Sequence, residues 1–70
     1  MKVYQEVLVF RKEVARLEGL SPDNPKALQE ARELVIQMEK FRLENPICDK
    51  VVKDLEVKLL DSFPQIEGRS

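Results

Sequence analysis

Gly19-Leu20-Ser21-Pro22-Asp23-Asn24-Pro25 decides the fold, because it is the one turn-rich stretch and it separates two segments of helical period. Gly19 suits the left-handed backbone that ends many helices. Asn24 before Pro25 marks a helix start: the asparagine side chain accepts from free amides of the first turn, and proline at the first helical position gives up no hydrogen bond. The same pair recurs at Asn45-Pro46. Proline disfavours helical geometry at the residue before it, so one helix is expected to stop near 43–44 and another to begin. Phe63-Pro64 closes the third segment.

On either side of these breaks the apolar residues recur at alternating steps of four and three. The first segment carries Val3, Val7, Phe10, Val14 and Leu17, and the second Ala27, Ala31, Leu34, Met38 and Phe41. In the third, Cys48, Val52, Leu55 and Leu59 keep the rhythm, with Phe63 one turn further on. Such stripes predict amphipathic helices over residues 2–18, 25–44 and 46–62. Residues 3–10 are rich in β-branched and aromatic side chains and would suit a strand. A strand there has no partner, and its pattern runs on at helical spacing into Leu17, so helix is the better reading. Oppositely charged residues four apart, such as Asp49 with Lys53 and Asp54 with Lys58, suit an exposed helix face.

At ~1.5 Å rise per residue the three helices run about 26–30 Å each. Similar lengths and short connections predict an all-α, antiparallel, up-down-up three-helix bundle. Seventy residues make one domain, whose own core supplies ~3–5 kcal/mol of net stability. A single cysteine rules out an internal disulfide, and the absence of histidine rules out the usual zinc sites. Completion of the bundle by dimerisation is the remaining common stabiliser. The domain is drawn over residues 1–65. Ile66-Glu67-Gly68-Arg69 spells a processing-protease recognition sequence, and with Ser70 it reads as a remnant of cloning, set aside from the fold. On that reading the natural sequence here ends at Gln65, either as a complete protein or as the N-terminal part of a longer one.

Charged residues form 36 % of the chain but nearly cancel, leaving a net charge of −1. A pI near 5.4 gives no general electrostatic reason to seek nucleic acid or an anionic membrane. No apolar run approaches the ~18–20 residues of a membrane span, and the N-terminus is a poor signal peptide. One unpaired cysteine then fits a reducing, cytoplasmic setting.

No catalytic, cofactor or metal-binding residue is assigned, no small-molecule substrate is expected, and the chain reads as no enzyme. Cys48 follows Pro46 in a first turn, where a helix dipole activates a thiol. It also lies on the apolar stripe with no histidine to act as base, so core packing is favoured. Acid pairs such as Glu30 with Glu33 lack a dry concavity in which to move protons or hold a metal. A small helix-turn-helix DNA-binding regulator is the alternative function. Against it, the second helix is long, and the would-be reading helix carries Asp49 and Asp54 where phosphates would lie.

Binding to protein surface remains. Each helix has a second set of apolar residues: Tyr4, Leu8 and Val9; Leu28, Val35, Ile36 and Leu43; Ile47, Val51, Val57 and Leu60. Contact with two neighbours inside a bundle accounts for most of them. Val9, Ile36, Leu43 and Val57 point away from the main stripes. Together with Tyr4 and Phe41 as aromatic anchors they are the expected partner-binding residues. The expected partner is another protein or a second copy of the chain. The expected function is interaction, oligomerisation or regulatory docking through apolar helix faces.

Overall fold

Asn24 caps the central helix as its position before Pro25 requires: its Oδ1 accepts from the amides of Lys26 at 2.9 Å and Ala27 at 3.4 Å. In the computed structural model the backbone is described for residues 2–69 and side chains for residues 4–66. Three helices follow in chain order: α1 over Lys2–Glu18, α2 over Pro25–Glu44 and α3 over Asp49–Ser62. A 3-10 turn, Pro46–Cys48, leads into α3, and a second 3-10 segment, Pro64–Arg69, follows it. No strand forms among the described residues. The expected helix boundaries therefore hold, except that the third helix begins three residues late.

The helix ends differ from expectation in two places, for local reasons. Gly19 does not adopt the left-handed conformation, and no described residue has a positive φ. Instead α1 tightens at its end, with Gly19 N–H donating to the Arg16 carbonyl and Leu20 N–H to that of Leu17. Asn45 does not repeat the work of Asn24. Its side chain turns back and donates to the Phe41 carbonyl at 3.2 Å, while its own N–H donates to the same oxygen at 2.8 Å. It closes α2 rather than opening the next helix, so Pro46 enters a 3-10 turn without a side-chain cap.

All three helices pack against one another, which makes the chain an all-α three-helix bundle. Arg16, near the end of α1, bonds Glu30 in the early part of α2 at 2.6 Å, so these two helices run antiparallel. Farther down, Phe10 meets Phe41 edge to face, with ring centroids 5.3 Å apart. The core takes the predicted stripes: Val7, Phe10, Val14 and Leu17; Ala27, Ala31, Leu34 and Met38; Val52, Leu55 and Leu59. Val3, which heads the first stripe, has its side chain outside the described residues.

Two core members lie beyond α3. Phe63 is buried as predicted, and Ile66 is buried too, at 1 % exposed. The 3-10 segment folds back along α3 and also touches α2, which carries the Ile66 side chain under the bundle. A domain boundary at residue 65 therefore cuts off a core residue. The fold includes Ile66, while Ser70 lies outside the described residues.

Candidate interaction surface

A bundle buries one sector of each helix, and what can bind is whatever apolar surface remains. Large apolar side chains left exposed include Tyr4, Leu8, Val9, Ile36, Leu43, Ile47, Val51 and Val57. They divide among separate sides, because each helix turns different flanks toward its two neighbours.

One side is the groove between α1 and α3. Arg11, Ala15 and Glu18 line it from α1, and Val51, Asp54 and Lys58 from α3. The up-down-up order makes these two helices parallel, so Arg11 and Val51 lie toward one end of the groove and Glu18 and Lys58 toward the other. One turn earlier on α1 comes Leu8, and one more turn back Tyr4, while Ile47 lies in the 3-10 turn that leads into α3. Their exposures are 37 %, 65 % and 92 %, and Val51 is 41 % exposed. Tyr4, Leu8, Ile47 and Val51 thus gather toward one end of the α1–α3 side.

A second side is the outward face of α2. Pro25, Leu28, Arg32 and Ile36 border a shallow depression there, and Leu43, at 84 % exposed, stands two turns beyond Ile36. Val57 is exposed on α3, on a different flank from Val51 and Lys58, about 100–120° away around the helix. Val9 belongs to a third place, the groove between α1 and α2, beside Glu13, Glu30 and Gln37.

The six sequence-based candidates are therefore not brought together. Ile36 and Leu43 share a face, while Tyr4, Val9 and Val57 each look in other directions. Phe41 differs in kind. It is half-buried with its ring against Phe10, so most of this aromatic closes the core. Sequence reasoning passed over Leu8, Ile47 and Val51 as bundle contacts. A wheel of each helix would have shown them on one flank, but only the register of α1 against α3 shows that the flanks meet.

The charges around these faces are partly committed. Arg42 of α2 bonds Asp49 at 2.7 Å and Glu56 at 3.0 Å. Hydrogen bonds that it donates to these two carboxylates, Asp49 first, hold the guanidinium above its ordinary range, so it stays charged wherever the chain is folded. Arg16 is likewise raised by Glu30 and Glu13. Two of the cations that a nucleic-acid surface would use are thus neutralised by neighbours, which weighs against the DNA-binding alternative. Cys48 is a free, half-buried thiol packed against the core. No group of acids and thiols among the described residues converges as a metal site, and no helix among them is long and apolar enough to cross a membrane.

Comparison of the chain with family models, curated proteins and solved structures returns no match.

Proposed function

We propose that this chain is a protein–protein interaction module, serving oligomerisation or regulatory docking, that works by burying apolar helix faces against another helical surface. The observation that carries this reading is the exposure of Ile47 and Leu43, at 92 % and 84 %, alongside Tyr4, Leu8 and Val51. Scattered exposed apolar side chains are ordinary. Large apolar side chains left this exposed, several toward one end of the α1–α3 side and one on the outward face of α2, are the usual mark of a binding surface. Rim charges of both signs would choose partner and register, and the single free thiol suits a cytoplasmic setting.

The reading makes a distinction that a stability measurement resolves. Side chains kept for binding do little for the fold, so Val51→Gln and Leu43→Gln should each change the stability of the dilute monomer by less than about 0.5 kcal/mol. Losses above about 1.5 kcal/mol at each position would mean that these residues serve the bundle itself, and the reading would fail.

A further inference from the structure

We draw no further inference here: the strongest candidate, the exposed apolar patch of Tyr4, Leu8, Ile47 and Val51 toward one end of the α1–α3 side, is an unpartnered face, and nothing in the structure shows what covers it.

Discussion

Arg42 Nη1 donates to Glu56 Oε2 at 3.0 Å across the α2–α3 interface, and the carboxylate it meets is 5 % exposed. The same guanidinium donates from Nε to Asp49 Oδ1 at 2.7 Å. One cation thus ties the middle of α3 and its first residue to the last turn of α2, across the 3-10 turn that joins them. A buried carboxylate needs such a partner, because desolvation of an isolated charge costs several kcal/mol.

Arg42→Ala should therefore destabilise the bundle by about 1–3 kcal/mol, toward the lower end because the arginine is partly exposed and Asp49 can turn to solvent. The double variant Arg42→Met with Glu56→Leu should recover most of that loss, since an apolar pair of similar volume leaves no buried charge. Urea melts of the wild type, the single and the double variant check both. A double variant no better than Arg42→Ala would show that the ion pair supplies more than satisfaction of Glu56.

Ile66 should prove part of the fold. Ile66→Ala removes a fully buried side chain and should cost about 2–4 kcal/mol, seen as a lower thermal midpoint. The same burial predicts that a protease reading Ile-Glu-Gly-Arg cleaves after Arg69 slowly in the native state and rapidly in mild urea. Fast cleavage without denaturant would place Ile66 outside the core.

The two asparagine–proline pairs should respond differently. Asn24→Ala deletes a true N-cap and should cost about 1 kcal/mol. Asn45→Ala removes only the side-chain bond to the Phe41 carbonyl, because the backbone amide of residue 45 already satisfies that oxygen. It should cost less than half as much by denaturant melts. Equal losses would mean that Asn45 also supports the start of the 3-10 turn.

The edge-to-face contact of Phe10 with Phe41 should appear in a double-mutant cycle as a coupling of about 0.5–1.5 kcal/mol, using leucine at each position. Absence of coupling would return Phe41 to the surface, where the sequence pattern alone leaves it available as an anchor.

These outcomes also mark which features were legible before the structure. The stripes and Asn24-Pro25 define the helices because capping and periodicity are local properties. Asn45 departs from the expected helix start because the same dipeptide can close one helix or open another, and only the spatial position of Phe41 decides. Glu56 falls between Leu55 and Leu59 on the buried side of α3, where pattern alone reads it as solvated; its partner lies fourteen residues away. The core role of Ile66 is hidden in the sequence because its neighbours spell a protease site. Among candidate binding residues, exposure of Val9, Ile36, Leu43 and Val57 followed from single-helix geometry. Their separation onto different sides, and the gathering of Leu8, Ile47 and Val51, depend on how three helices are arranged.

Methyl NMR across a dilution series tests most directly whether copies of this chain associate through their uncovered apolar ridges. Resonances of Leu8, Ile47 and Val51 should move together as the protein is concentrated, while those of the buried Leu34 and Met38 stay fixed. Uniformly static spectra up to millimolar concentration, or shifts confined to other faces, would contradict it.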